Sequence, residues 1–215
     1  VETSLLMMGL LTARQYFNGA DVAETNLRAD ITGLYNGVEW SWFRKSNEQV
    51  LYWHWSPNFA WDMNLPIRGW NECLITYVLA ASSSTHGIPK SVYENGWARN
   101  GAVGFTNGSQ FYNITLPLGS AYGGPLFFSQ YSFLGLDPRQ LKDRYADYWE
   151  QNRNHTLINR EHSIRNPNQF KGYSADCWGL TASDTYNGYA AHSPTEDLGT
   201  ITPTAALSAF PYTPE

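Results

Sequence analysis

The sequence predicts an all-α fold in which helices wall a toroid rather than close into a bundle, and three observations carry that reading. Apolar residues in the helical stretches recur at spacings of three and four, the period of an α-helix. Strand-like alternation is confined to one short stretch. The helices are joined by long Gly- and aromatic-rich loops, whereas a four-helix bundle is connected by short ones. The 215 residues suffice for one ordinary domain with a sizeable core, and no linker or internal repeat divides them.

From Thr3 to Phe17, residues Leu5, Leu6, Met7, Met8, Leu10, Leu11 and Ala13 surround the whole helix, so the first helix is expected to be buried on all sides. Asn18-Gly19 ends it. Asp21 opens a second helix, with Glu24 completing a capping box. Leu27, Ile31, Leu34, Val38 and Trp42 form its apolar stripe. A fully apolar helix followed by one with a wet face is the pattern of an inner and an outer wall.

Residues 49–55 are aromatic and β-prone, a short strand or extended loop. A loop covers 57–66, and a third helix apolar over most of its surface is predicted from about 67 to 83. A short fourth helix follows over 89–98. Residues 99–124 are rich in Gly, Asn and Ser, with alternation over 111–116 that predicts a small hairpin. Residues 126–134 are apolar and aromatic. Asp137-Pro138 opens a helical stretch to about His162 through Leu141, Tyr145, Tyr148 and Trp149. Residues 166–202 lack a regular pattern, and a segment of that length in a compact domain is usually functional. Thr202-Pro203 starts a last short helix. Val1-Glu2-Thr3-Ser4 runs straight into helix, and Tyr212-Thr213-Pro214-Glu215 reads as a helix start. The expectation is therefore a single domain over 1–215 that forms part of a larger one.

Only 15% of the residues are charged, against roughly 25% in average domains. Nine Trp and fourteen Tyr go the other way. Both present a flat apolar face and a polar edge, which suits a groove gripping something planar and hydroxylated. A net charge of −5 without a basic run excludes nucleic acid and a polybasic membrane contact as partners. The longest apolar run, Leu5 to Leu11, is broken by Gly9 and falls far short of the ~20 residues of a membrane span. A neutral polymer fits the balance better. Cys73 and Cys177 read as two buried small hydrophobes, and no CxxC or Cys/His cluster signals a metal. No phosphate loop occurs. Ser183, His192 and Asp184 compose a triad only on paper, without a GxSxG turn.

The densest cluster runs from Tyr52 to Asn64 and on into Arg68-Gly69-Trp70-Asn71-Glu72. In an extended stretch, neighbours alternate sides, so Trp53, His54 and Trp55 cannot all face a core. Some rings line a cavity, unless the whole cluster is a structural aromatic core. Glu72 stands among Trp70, Cys73, Leu74 and Ile75. Lost solvation there raises a carboxyl pKa, as a general acid requires. The competing reading is an intrahelical ion pair with Arg68, four residues earlier. Glu2 is the second candidate, either at a cavity mouth or simply complementing a helix dipole. Asp62 sits between Trp61 and Met63. Asp176 and Trp178 lie in a loop that is either part of a cleft or a solvated surface.

The segments ETSLLMMGLLTARQYF, HWSPNFAWDMN, GWNECLITYVLAASS, GGPLFFSQYSFLGLDP, YADYWEQNRNHTLINR, CWGLTASD and ITPTAALSAFPYTPE make the chain resemble the bacterial "putative glucoamylase" family, which includes β-1,2-glucanases. The resemblance spans essentially the whole chain. It implies an (α/α)6 toroid, an inverting glycoside hydrolase, no metal or organic cofactor, and a monomer. Glu2 in ETSLL and Glu72 in WNECL match carboxylates lining the family's pocket, with Glu72 the better proton donor. Another acid important in the family falls beyond Glu215. The family favours Glu at the WDMN position, so Asp62 is assigned to substrate contact, with Trp53, Trp55, Trp61, Arg68, Asp176 and Trp178. Glu2, or an acid outside this chain, would activate water. The rival readings are a non-catalytic carbohydrate-binding protein, a polysaccharide lyase, and a glycosyl-transferring or phosphorolytic enzyme. A periplasmic or extracellular location follows from the substrate class alone.

Overall fold

The computed structural model describes residues 1–214, in two compact units. The first comprises Val1–Gly69, Cys73–Asn100 and Ser132–Leu136. Helix α1 (Glu2–Tyr16) packs against α2 (Val22–Gly37) and α3 (Leu74–Ser82). Burial along α1 is confined to one stripe, Ser4, Met7 and Met8, while Leu6 stays 59% exposed. Two neighbouring helices cover only part of a cylinder, so the expectation of burial on all sides is not met.

Helix α2 starts where its cap predicts, with the Asp21 carboxylate accepting from Glu24 N at 3.0 Å. The return bond differs from a capping box, because Glu24 accepts from Gly19 N instead of from the cap residue. The expected stripe is largely overturned. Ile31 is buried, Leu27 and Leu34 are exposed, and the helix stops at Gly37, before Val38 and Trp42. A tight turn over Trp40–Arg44 follows and buries Trp40 in their place.

Residues 49–55 form the extended loop that the aromatic pattern allowed. Tyr52 N donates to Phe43 O at 2.8 Å and Trp53 N to Leu65 O at 2.9 Å. This pairing also explains why the third helix begins at Leu74 and not near 67. Ile67 N is committed to Leu51 O at 2.8 Å, and Gly69, at φ +78°, donates to Trp97 O at 2.9 Å. Tyr77 locks the arrangement. Its hydroxyl donates to Ile67 O at 2.9 Å and accepts from Leu51 N at 3.0 Å. Ser132 Oγ accepts from Ile75 N at 3.0 Å, replacing a cap side chain in the first turn of α3. Leu74, Ile75, Tyr77, Leu79 and Ala80 are buried, as the apolar pattern predicts. Helix α4 (Lys90–Val92) widens into a π-turn over Tyr93–Trp97, inside the predicted range.

The second unit comprises Trp70–Glu72, Gly101–Tyr131 and the chain from Asp137 onward. Its spine is α5 (Tyr148–Arg165), which begins later than Asp137 because the intervening residues close a loop. Asp143 Oδ1 accepts from Tyr145 N at 2.8 Å, and Tyr148 N returns to Leu141 O at 3.0 Å. Asp147 then caps α5 by accepting from Trp149 N at 3.0 Å and Glu150 N at 3.2 Å.

The buried face of α5 is polar: Gln151, Asn152, His155, Thr156, Asn159, His162 and Ser163. Buried polar groups need partners, and for Gln151, His155 and Asn159 those partners include the backbones of the long loops. Gln151 Oε1 accepts from Leu118 N at 2.8 Å. His155 bridges Ser129 Oγ at 2.8 Å and Gly124 O at 3.0 Å. Asn159 grips both backbone groups of Leu180, accepting its N–H at 2.9 Å and donating to its carbonyl at 3.1 Å.

The predicted small hairpin is present as β1 (Gln110–Phe111) and β2 (Ile114–Thr115), paired antiparallel. Its turn residues Tyr112 and Asn113 both have positive φ, 55° and 66°, as a primed turn demands. The segment 166–202 holds a second hairpin that was not expected, β3 (Ala182–Thr185) with β4 (Gly188–Ala191), in register Ala182 to Ala191. Helix α6 (Pro203–Ser208) starts after Thr202 as predicted. Residues 209–212 form a turn, and no helix starts at Thr213 among the described residues. Glu215, the last residue of that expected helix start, lies outside them. Cys73 is buried as expected, but Cys177 is exposed because its loop lies outside the core. Among the described residues, no helix is long and apolar enough to cross a membrane, and no three His, Cys, Asp or Glu side chains gather as metal ligands.

Candidate functional site

In the first unit, the start of α1 and the aromatic loop meet around a cavity of about 110 Å³. Glu2, Thr3 and Ser4 supply one wall, Trp40 and Phe43 another, and Leu51, Tyr52, Trp53 and Trp55 a third, with Thr76 of α3 closing it. The sequence candidates Glu2, Trp53 and Trp55 are thereby brought together. The reason lies in the loop's backbone. Pairing of residues 51–53 with 65–67 and Phe43 fixes an extended course, so Tyr52 is buried while its neighbour Trp53 stays partly exposed.

The carboxyl group of Glu2 is held below the usual range. A backbone N–H bond is the main cause; burial, next in size, opposes it, and the Val1 nitrogen and the Trp53 side chain add to the lowering. Glu2 is therefore an ionised, accessible carboxylate beside two indoles. Two further polar groups face the cavity. The lining residues Trp40 and Thr76 hold them, at Nε1 and Oγ1, which are buried and have no hydrogen-bond partner among the described residues. Buried donors of that kind carry a desolvation cost until water or a ligand satisfies them.

The rings continue outward from this cavity. Trp55 meets Trp42 edge-on at 6.1 Å, and Trp42 lies 6.3 Å from Trp61. Trp61 packs against Phe43 at 6.1 Å and Tyr52 at 5.9 Å. An open groove of about 500 Å³ lies alongside, bordered by Glu39, Ser41, Trp42, Lys45, Ser46, Asn47, Trp61 and His86. The sequence reading missed Trp42, which it placed on the stripe of α2. The signal that could have found it is Gly37, which ends the helix before the stripe does.

Glu72 belongs to the second unit. It sits in the turn just before α3 and is half-buried, and burial raises its pKa against an opposing backbone hydrogen bond. Because the helix begins at Leu74, the i,i+4 geometry of an intrahelical pair with Arg68 does not arise. Arg68 is exposed in the first unit, its guanidinium 3.4 Å from Asn95 O. Asp62 is exposed in the turn closed by its N–H to Phe59 O at 3.0 Å, and borders neither cavity nor groove. Asp176 is exposed on the loop ahead of β3, and Trp178 is half-buried two residues on.

A buried polar network in the second unit also escaped the sequence reading. His162 Nε2 is 2.9 Å from Asp197 Oδ2, Tyr112 Oη is 2.9 Å from His162 Nδ1, and Tyr173 donates to Asp197 Oδ1 at 2.7 Å. Burial pushes the Asp197 pKa up, yet the bonds from His162 and Tyr173 hold it below the ordinary value. This network ties the turn of the β1–β2 hairpin and the segment 166–202 to α5. By contrast, His192 is fully buried with neither ring nitrogen partnered, and Ser183 Oγ is likewise unpartnered, so no Ser183–His192–Asp184 triad is assembled.

Comparison with known proteins completes the picture. A family described as "Putative glucoamylase" matches residues 64–215. An exo β-1,2-glucooligosaccharide sophorohydrolase of Parabacteroides distasonis is 45% identical over all of this chain, which covers 32% of that protein. An endo-β-1,2-glucanase from Chitinophaga pinensis, solved as a sophorotriose and glucose complex, is 57% identical with a TM-score of 0.94 over 100% of this chain and 52% of its own. A "putative glucoamylase" structure from Bacteroides uniformis is 55% identical with a TM-score of 0.95, again over 100% of this chain and 52% of its own. The chain thus spans about a third of that curated relative and about half of these two structures.

Proposed function

Because the chain belongs to the "Putative glucoamylase" family, we propose that it is part of a glycoside hydrolase that cleaves β-1,2-linked glucans or related glucose oligosaccharides. The names of its relatives support that substrate class. One observation carries the chemistry: the pKa of Glu72 is displaced upward by burial, while that of Glu2 is displaced downward. Carboxyl groups driven apart in this way take the acid and base roles of hydrolysis.

In this reading Glu72 hands its proton to the departing glycosidic oxygen, and ionised Glu2 is the candidate base for water. Trp53 and Trp55 offer apolar faces to glucosyl rings, and Trp61, Asp62, Arg68, Asp176 and Trp178 are assigned to substrate contact. The reaction passes through an oxocarbenium-like state with inversion. The remainder of the proposal is an (α/α)6 toroid completed by chain beyond this one, a monomer without metal or organic cofactor, and a periplasmic or extracellular location.

Leaving-group chemistry separates the roles. Glu72→Gln is expected to slow glucan hydrolysis on the order of 10²–10⁴-fold. On a nitrophenyl β-sophoroside, whose phenolate leaves without protonation, the loss should shrink to a small factor. Glu2→Gln should impair both substrates alike. Wild-type activity in Glu72→Gln overturns the acid assignment. NMR of the first product should show the α-anomer. Sugar binding without release of reducing ends from α-1,4, β-1,2 or β-1,3 glucans would make the protein a binding module instead.

A further inference from the structure

Trp42 lies outside the assignments above, although Trp61 borders the same groove, and ring and groove share four properties of a built binding surface. Trp42 is 51% exposed and carries a large apolar ring. It is continuous with the candidate site through Trp55, which lines the Glu2 cavity and touches Trp42 at 6.1 Å. The groove of about 500 Å³ beside it exceeds the 110 Å³ cavity several-fold and is bordered by hydroxyl-seeking groups: Glu39, Ser41, Lys45 and Asn47.

The rim of the groove is also held in an uncommon shape. Lys45, Ser46 and Asn47 are three consecutive non-glycine residues in the left-handed region, at φ 39°, 62° and 65°. Arg44 clamps the run, its guanidinium donating to Asn47 O at 2.8 Å and to Glu48 O at 2.9 Å. Such strain persists where the surroundings over-determine it, commonly at ligand clamps.

We propose that this groove is a distal subsite that holds glucosyl units of a β-1,2-glucan away from the bond being cleaved, stacked on Trp42 with their hydroxyls on the Lys45–Asn47 rim. The inference rests on the hydrolase reading for its ligand and adds to it a preference for longer chains. A flat apolar ring flanked by polar groups matches a sugar's apolar face and hydroxyl edge. The absence of a basic cluster matches an uncharged polymer.

The test uses the full-length protein and the series wild type, Trp42→Phe and Trp42→Ala. Steady-state kinetics are measured on sophorotriose and on a long β-1,2-glucan. Trp42→Ala should raise KM for the long glucan about tenfold, Trp42→Phe less, with kcat and all parameters on sophorotriose unchanged. Equal losses on both substrates, or none on either, overturn the subsite. Failure of the underlying reading shows separately. If wild type releases no sugar, titration of its tryptophan fluorescence with the long glucan still decides: weaker binding by Trp42→Ala supports the groove, and unchanged binding removes it. Circular dichroism identifies any variant that fails to fold, and in that case the Trp42→Phe result alone stands.

Discussion

At Glu72, burial opposes ionisation, and the cost falls on the folded state. An acid whose folded pKa lies above its unfolded value loses stability as pH rises from the unfolded value through the folded one. Glu72→Gln should therefore raise the melting temperature at neutral pH, and the gain should vanish near pH 4, where the carboxyl is protonated in both states. Calorimetry at the two pH values checks this. His155 works in the opposite direction, since full burial lowers its pKa to about 4 from 6.5. The folded protein keeps it neutral while the unfolded chain protonates, so stability present above pH 6.5 is lost as pH falls toward 4. That loss amounts to on the order of 3 kcal/mol, and urea titrations of wild type and His155→Gln should show the slope only in the former. The partial burial of Glu72 was legible because apolar residues flank it in the sequence. His155 was not, since the groups that bury it come from residues 123–129.

Helix α5 shows the limit of pattern reading for whole elements. A periodicity search looks for apolar residues at helical spacing, but here the buried spacing is carried by Gln151, His155, Asn159 and His162. Of the apolar marks that were read, Leu141 and Tyr145 belong to the loop before it, and only Tyr148 and Trp149 fall in its first turn. The start of α3 was misplaced for a related reason, because residues 67–69 are helix-compatible locally and extended only through partners at Leu51 and Trp97. Packing on α5 is close as well as polar. A Cβ at Gly123, φ +94°, would lie 2.2 Å from the His155 ring. Gly123→Ala should accordingly destabilise by several kcal/mol, measured by chemical denaturation, from strain and overpacking together. Asn159→Ala should cost about 1–3 kcal/mol by stranding the N–H of Leu180, whose carbonyl still accepts from Leu126 N at 3.1 Å.

For the molecule as a whole, low charge density has a kinetic counterpart. With 15% charged residues and the uncharged substrate proposed above, KM for a β-1,2-glucan should stay constant between low and high salt, because there is little electrostatic attraction to screen. A salt-dependent KM in steady-state assays would point to an anionic substrate and so to the lyase alternative. Helical content and the aromatic concentration were visible from composition and spacing. The hairpin at 110–115 was visible too, from alternation, whereas the one at 182–191 was not, and the polar network needed contacts between residues far apart in the chain. Those contacts also govern how the second unit comes apart. Its irregular segments around Leu118, Gly124, Ser129, Leu180 and Asp197 are each fastened to one rod of secondary structure, so none can open without releasing a bond that the rod must then satisfy elsewhere. In a hydrogen–deuterium exchange experiment their amides should resist labelling for as long as those of α5 do, and then become labelled together, behaving as one foldon despite having almost no regular structure.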